Sequence, residues 1–339
     1  MPQHIISVEQ FTPEDLARTF EQAAYFEGAM QDPAKRQDLT SAYVGASAFS
    51  SFYEPSTRTR VSCEQAARAL GVNVTGTENA EAFSSAAKGE TLEDSIQVMD
   101  GYGFDVIFLR HHETGSAARA AAVAKHAAII NAGDGKGEHP TQTLLDTYTI
   151  NQELGRLSGL NVIMGGDLRH GRTVRSLAME LSKHPDNQIT FVSTPELQME
   201  QDVLDLLDER GTSYVQTDDM ESAFKKDVNV VYWTRLQKER ISAGLGITGT
   251  GFTITPEMMD LLPKDAILMH PLPRVGEITS AVDDDPRARY FKQAENGLYV
   301  RMALLDTILS GTYGPKELRL GPLPKKLFFR LKHELLGAQ

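Results

Sequence analysis

Apolar positions along this chain recur in two registers. Short runs dense in Val, Ile, Leu and Phe predict buried strands. They alternate with longer stretches in which apolar residues return every three to four positions, the signature of helices packed by one face. The pattern predicts strands at 42–52, 72–74, 105–109 and 128–131, then at 161–164, 188–192, 213–216, 228–233 and 266–269. Helices are predicted at 61–70, 90–99, 116–126 and 140–154, then at 172–182, 196–208, 220–225, 256–262 and 291–309. Strands that alternate with helices make parallel sheets with helical crossovers. The expected fold class is therefore α/β, with two domains, each a parallel β-sheet flanked by helices. The first covers 1–150 and is joined by about 291–339 as the C-terminal helix returns to it; the second covers 151–290.

In open α/β sheets ligands gather at the C-terminal ends of strands, and the unusual residues of this chain lie there. Ser56-Thr57-Arg58-Thr59-Arg60 follows one predicted strand and leads into a predicted helix. The unpaired amides and positive dipole end of a helix N-terminus favour an anion. Two guanidinium forks and three hydroxyls add charge and directional donors. An ordinary Ser cap would use one hydroxyl and leave the rest unexplained. The run predicts a phosphate site.

Further candidates end other strands. Arg110 is a second anion contact; beside it His111 and His112 are expected to point to opposite faces, which argues against joint metal chelation. His139 precedes Pro140, a good first helical residue, with Gln142 about one turn on. A positive dipole end and nearby Arg residues disfavour protonation there, and a neutral imidazole suits polarising a carbonyl. The run from Gly166 to Thr173 nearly matches a nucleotide P-loop, with Arg172 where Lys is required, and reads instead as a carboxylate site with Arg172 as the fork. Arg235 and Gln237 follow the strand at 228–233, and His270-Pro271-Leu272-Pro273-Arg274 follows that at 266–269. Ser84, Ser85 and Lys88 lie in a loop of small residues.

The 339 residues carry a net charge of −12, which argues against nucleic acid as the main partner and obliges local Arg clusters to capture anionic ligands. Cys63 is the only cysteine, so intrachain disulfides and thiolate metal clusters are excluded. No stretch approaches a transmembrane helix in length and the N-terminus lacks a basic run before an apolar one, so a soluble, cytoplasmic protein is expected. Neither a metal nor another cofactor is called for. One phosphate, at least one carboxylate and neutral hydrogen bonders near a carbonyl fit transfer of an acyl-like group from a phosphate leaving group. Catalysis would come from alignment and electrostatic stabilisation rather than a covalent enzyme nucleophile.

Ser56-Thr57-Arg58-Thr59-Arg60, His139-Pro140-Thr141-Gln142, Thr234-Arg235-Leu236-Gln237 and the His270–Arg274 run, in this order, resemble the carbamoyltransferases, and within them the aspartate-using branch. The resemblance covers about residues 1–310. It implies carbamoyl transfer from carbamoyl phosphate to L-aspartate, the committed step of de novo pyrimidine biosynthesis, in a homotrimer with shared active sites. By it Ser56, Thr57, Arg58, Thr59 and Arg110 bind the phosphate. Arg58, Thr59 and His139 surround the carbonyl, while Gln142 and the backbone carbonyls of Pro271 and Leu272 hold the amino group. Arg172, Arg235 and Gln237 take the aspartate carboxylates, with Leu272 and Lys88 also at that substrate. Lys88 and Ser84, the latter in competition with Ser85, reach a neighbouring chain's site; many relatives carry a second Lys where this chain has Ala87. An ornithine enzyme typically has Cys where Pro271 stands, which ranks ornithine or another amine below aspartate; a non-catalytic homologue should have lost some of these polar residues. Regulatory or dihydroorotase-type partner chains are left open.

The tail from Gly311 to Gln339 lies beyond the resemblance and is basic. Leu327, Phe328, Leu331 and Leu335 can line one helical face. A short helix packed on its own chain is expected, with docking to a neighbour as the alternative.

Overall fold

A computed structural model describes residues 4–83, 85–224, 227–235 and 252–313. The chain divides into two units, the first running to Leu145 and resuming at Glu295, the second spanning Asp146–Ala294. Both crossings fall inside helices. In the first unit the order is α1 (Pro13–Gln31), α2 (Pro33–Leu39), β1 (Ser47–Phe52), α3 (Thr57–Ala69), β2 (Asn73–Thr77), α4 (Ala80–Phe83), α5 (Leu92–Gly101), β3 (Val106–His111), α6 (Ser116–Val123), β4 (Ala128–Asp134) and the start of α7 (Pro140–Leu154). The second unit continues with β5 (Asn161–Gly165), α8 (Arg172–Leu181), β6 (Gln188–Val192), α9 (Gln201–Glu209), β7 (Ser213–Thr217), α10 (Met220–Ala223), β8 (Val230–Trp233), α11 (Pro256–Met259) and β9 (Ile267–Met269). Then α12 (Tyr290–Tyr313) carries the chain back to the first unit.

Each unit is built on one parallel sheet, in the order β2-β1-β3-β4 and β7-β6-β5-β8-β9 respectively. Much of both sheets is covered on its two faces, as helical crossovers require: every residue of β3, β4 and β8 is buried. The edge strands β2 and β7 are mostly exposed or half-buried. The first core gathers Ile96, Ile107, Leu109 and Ile129; the second gathers Ile163, Val231, Trp233 and Leu268.

Several bounds differ from the sequence pattern: β1 begins at Ser47, α9 at Gln201, and α11 ends at Met259. Helices α1 and α2 fall outside the elements it predicted, although Thr12 and Asp15 form a capping box and Leu16, Phe20, Ala23 and Phe26 line the buried face of α1. Helix α3 begins at Thr57, four residues before the predicted start, which puts the hydroxyl run inside the first helical turn. The expected helix in the basic tail lies outside the described residues.

Candidate active site

In the first unit the parallel register draws the phosphate candidates together. Phe52 of β1 lies opposite Arg110 of β3, and the Tyr53 N–H donates to the Arg110 carbonyl at 2.8 Å. The hydroxyl run therefore leaves the sheet beside Arg110. Ser56 caps α3 in extended conformation, yet its side chain makes no capping hydrogen bond. The ordinary structural use of this hydroxyl is thus not taken up. Thr57 and Arg58 are exposed, and Thr59 is buried. Arg110 is buried and aimed: it donates to Glu54 Oε1 at 2.8 Å and to the Ala132 carbonyl at 3.3 Å. Arg60 bridges Glu64 at 3.0 Å and Glu78 at 2.9 Å, which makes it a brace for α3 rather than an anion ligand.

One strand further on, β4 ends at Asp134 and opens the loop that carries His139. This loop is closed from both sides. Asp134 Oδ1 accepts the Glu138 N–H at 2.7 Å. The Glu138 carboxylate takes the Ser7 hydroxyl at 2.6 Å and the Val8 N–H at 2.9 Å, and burial pushes its pKa up despite those bonds. His139 is buried at the start of α7, its Nδ1 3.4 Å from Thr141 Oγ1; Gln142 is half-buried, and its N–H donates to the His139 carbonyl at 2.9 Å. His111 and His112 do not point apart. Because β3 ends at His111, the two rings stack 4.3 Å apart, and burial followed by the neighbouring His112 holds the His111 pKa down. Lys88 is exposed at the end of a short 3-10 turn; Ser84 lies outside the described residues.

The second unit gathers its candidates by the same logic. Gly165 of β5 pairs in register with Trp233 of β8, and Tyr232 of β8 with Met269 of β9. The loop to Arg172, the segment Thr234-Arg235 and the run from His270 therefore leave three neighbouring strands at the same edge. Close approach dictates glycine at Gly165 and Gly166. A Cβ on Gly165 would enter the Trp233 ring, 2.5 Å from Cη2; one on Gly166, where φ is +99°, would meet the Thr234 backbone. Arg172 opens α8 behind its Gly171 cap, and both Arg172 and Arg235 are half-buried. Gln237 lies outside the described residues.

A buried hydrogen-bond chain, which sequence reasoning missed, fixes the segment after β9. The Tyr232 hydroxyl donates to Asp146 at 2.8 Å, Gln293 Nε2 donates to the same carboxylate at 2.6 Å, and Gln293 Oε1 accepts the His270 N–H at 2.9 Å. The His270 ring is 1% exposed. Its Nδ1 accepts the Leu272 N–H at 2.8 Å, so Nε2 carries the hydrogen and donates to Glu277 Oε1 at 2.8 Å. Glu277 Oε2 accepts the Val275 N–H at 2.9 Å. Burial alone would raise the Glu277 carboxyl, but these bonds outweigh it and hold the pKa below the usual range. Pro271 and Leu272 are thus clamped, with a cis Leu272–Pro273 bond between Leu272 and the next residue. Arg274 pairs with Asp283 and donates to the Tyr290 hydroxyl at 3.1 Å, a brace like Arg60. No sequence motif marks Asp146, Gln293 or Glu277, whose partners lie 86, 23 and 7 residues away.

Comparison with known proteins covers both units. Residues 3–152 match the family model described as aspartate/ornithine carbamoyltransferase, carbamoyl-P binding domain, and residues 158–308 match its Asp/Orn binding domain. Aspartate carbamoyltransferase, chloroplastic, from Oryza sativa is 47% identical over 315 residues, covering 91% of this chain and 85% of the relative. The catalytic subunit of aspartate carbamoyltransferase from Vibrio campbellii is 41% identical over 310 residues, covering 91% and 97%. Among solved structures, aspartate transcarbamoylase from Trypanosoma cruzi in complex with N-(phosphonacetyl)-L-aspartic acid superposes with a TM-score of 0.83 at 38% identity, covering 91% of this chain and 96% of that one.

Proposed function

The chain belongs to the aspartate and ornithine carbamoyltransferases, and from that footing we infer that it transfers the carbamoyl group of carbamoyl phosphate to L-aspartate. The products are N-carbamoyl-L-aspartate and phosphate. The observation that carries the choice of aspartate is the pair Arg172 and Arg235, on segments that leave the neighbouring strands β5 and β8. Two guanidinium forks suit the two carboxylates of a dianionic amino acid. The side-chain ammonium of ornithine would find repulsion there.

Chemically, the amine lone pair attacks the carbamoyl carbon, the carbonyl oxygen gathers negative charge, and the C–O bond to phosphate then breaks. The amine loses one proton, which the departing phosphate can take. Ser56, Thr57, Arg58, Thr59 and Arg110 hold the phosphate and stabilise it as it leaves. Arg58, Thr59 and His139 stabilise the oxyanion, and Gln142 with the Pro271 and Leu272 carbonyls fixes the carbamoyl NH₂. Donors held in place before the reaction cost no reorganisation during it. Arg172, Arg235, Gln237, Lys88 and Leu272 serve L-aspartate. Ser84 and Lys88 act from a neighbouring chain of a homotrimer, consistent with the exposure of Lys88. The reaction belongs to pyrimidine biosynthesis and is proposed to run in the cytoplasm, with regulatory or dihydroorotase-type chains as further partners. No helix among the described residues is long and apolar enough to cross a membrane.

A carbamoyl-transfer assay across L-aspartate, ornithine and putrescine tests the reading. Turnover with aspartate alone is expected; turnover with ornithine but not aspartate would sink it.

A further inference from the structure

Helix α12 places a cation against Thr141, the hydroxyl that meets His139. Arg301 is 4% exposed and lies within the first unit, against α3 and α7, the two helices whose N-termini carry the phosphate run and His139. Its NH1 donates to the Gly297 carbonyl at 3.0 Å, its NH2 donates to Thr141 Oγ1 at 3.1 Å, and its charge acts on the buried Cys63 thiol. Burial pushes that thiol's pKa up, and the guanidinium pulls against it.

The slot for this side chain is bought with a glycine. Gly297 sits in the interior of α12, where glycine is a poor helix former. A Cβ there would collide with Arg301 NH1 and come within 3.0 Å of Leu145 Cδ2. Glycine one turn before Arg301 therefore lets the guanidinium fold back along the helix and reach Thr141.

We propose that Arg301, acting through Thr141, is a positioning residue that sets the tautomer of His139, so that Nε2 carries the proton donated to the carbamoyl carbonyl. This rests on the role given to His139 above. The direction follows from donor counting. A guanidinium only donates, so Thr141 Oγ1 accepts from Arg301. Thr141 is fully buried, and among the described residues its hydroxyl meets Arg301 and His139. Its one hydrogen is therefore directed to His139 Nδ1, 3.4 Å away. At that length the bond is weak, and what it sets is direction. The positive charge behind the hydroxyl oxygen turns the O–H dipole the same way. With Nδ1 accepting, a neutral imidazole carries its proton on Nε2.

The test uses the full chain labelled with ¹⁵N-histidine, the His139 resonances being identified by their loss in His139→Ala. Wild type is expected to show a protonated Nε2 and an unprotonated Nδ1. In Thr141→Val the His139 signals should move toward a tautomer mixture, with kcat down about tenfold and affinity for inorganic phosphate unchanged within about twofold. Thr141→Ser, which restores the hydroxyl, should restore both signals and kcat. Gly297→Ala, which crowds Arg301 out of its slot, should reproduce the Thr141→Val signature. A wild-type His139 protonated on Nδ1, or a Thr141→Val enzyme with native kcat and unmoved His139 signals, overturns the proposal. The NMR readout does not depend on turnover, so a wild-type chain inactive toward aspartate overturns the functional reading alone.

Discussion

Replacing Gly166 by Ala strikes the second unit where backbone conformation and site geometry coincide. Gly166 has φ +99°, and a Cβ there would stand 2.9 Å from the Thr234 carbonyl carbon and 2.8 Å from its Oγ1, with the carbonyl oxygen closer still. Forcing an L-residue to positive φ costs about 1–2 kcal/mol. The collision adds to this. Thr234 donates from its N–H at 2.9 Å and from its hydroxyl at 3.0 Å to the Gly165 carbonyl. Displacing it weakens two hydrogen bonds worth about 1 kcal/mol each. The expected loss of stability is about 3–4 kcal/mol, read as the shift of the urea unfolding midpoint. Thr234 also carries Arg235, so clearing the clash moves that fork by about 1 Å, which is enough to lower kcat/KM for aspartate about a hundredfold. Inorganic phosphate binding, assigned to the first unit, should be unchanged by calorimetry. Gly211→Ala is the internal control: its φ is +68° with nothing within 4 Å of the new Cβ, so it costs about 1 kcal/mol and leaves kinetics native. A Gly166→Ala enzyme with native midpoint and native kinetics toward aspartate would refute both the packing argument and the placement of Arg235.

Other outcomes follow from the same geometry. Arg58→Ala should lower kcat by a factor of about 10²–10³, while the melting temperature barely moves because Arg58 is exposed; near-native kcat would remove its assigned role. Hydrogen bonding to Arg274 holds the Asp283 pKa below the ordinary 3.8. A depressed carboxyl stabilises the fold above its unfolded pKa, and that contribution is lost as pH falls from about 3.8 through the folded value. Wild type should therefore be more stable than Asp283→Asn at neutral pH, with the gap closing in acid; an unfolding gap that does not change with pH contradicts the pairing. For shared active sites, co-refolding Lys88→Ala chains with Arg58→Ala chains should regenerate activity that neither has alone. Mixtures that stay inactive at every ratio exclude a Lys88 contribution in trans.

Much of the fold was legible because its signals are local. Helix α7 runs over the predicted 140–154 and β6 over 188–192, since periodicity needs only neighbouring residues. Helix α1 carries equally local signals in Thr12, Asp15 and its apolar stripe. The setting of the hydroxyl run was legible for the same reason: consecutive residues place it at the turn from β1 into α3. The fates of Arg60 and Arg274 were not legible. In sequence they look like Arg58 and Arg172, for which anion binding is proposed, but Glu78 and Asp283 claim them across 18 and 9 residues.

The sequence by itself determined the order of strands and helices and the residue types gathered at the strand ends. Those follow from propensity, periodicity and motif, which act over one or two turns of chain. Only the tertiary structure decided which charges are committed to braces and which polar groups hold the site in place. Glu138 reaches Ser7 across 131 residues, and Arg301 reaches Thr141 across 160. Such pairs form only when sheet register and helix packing have brought distant segments into contact. Their worth depends on burial, which is a property of the folded chain and not of any stretch of it.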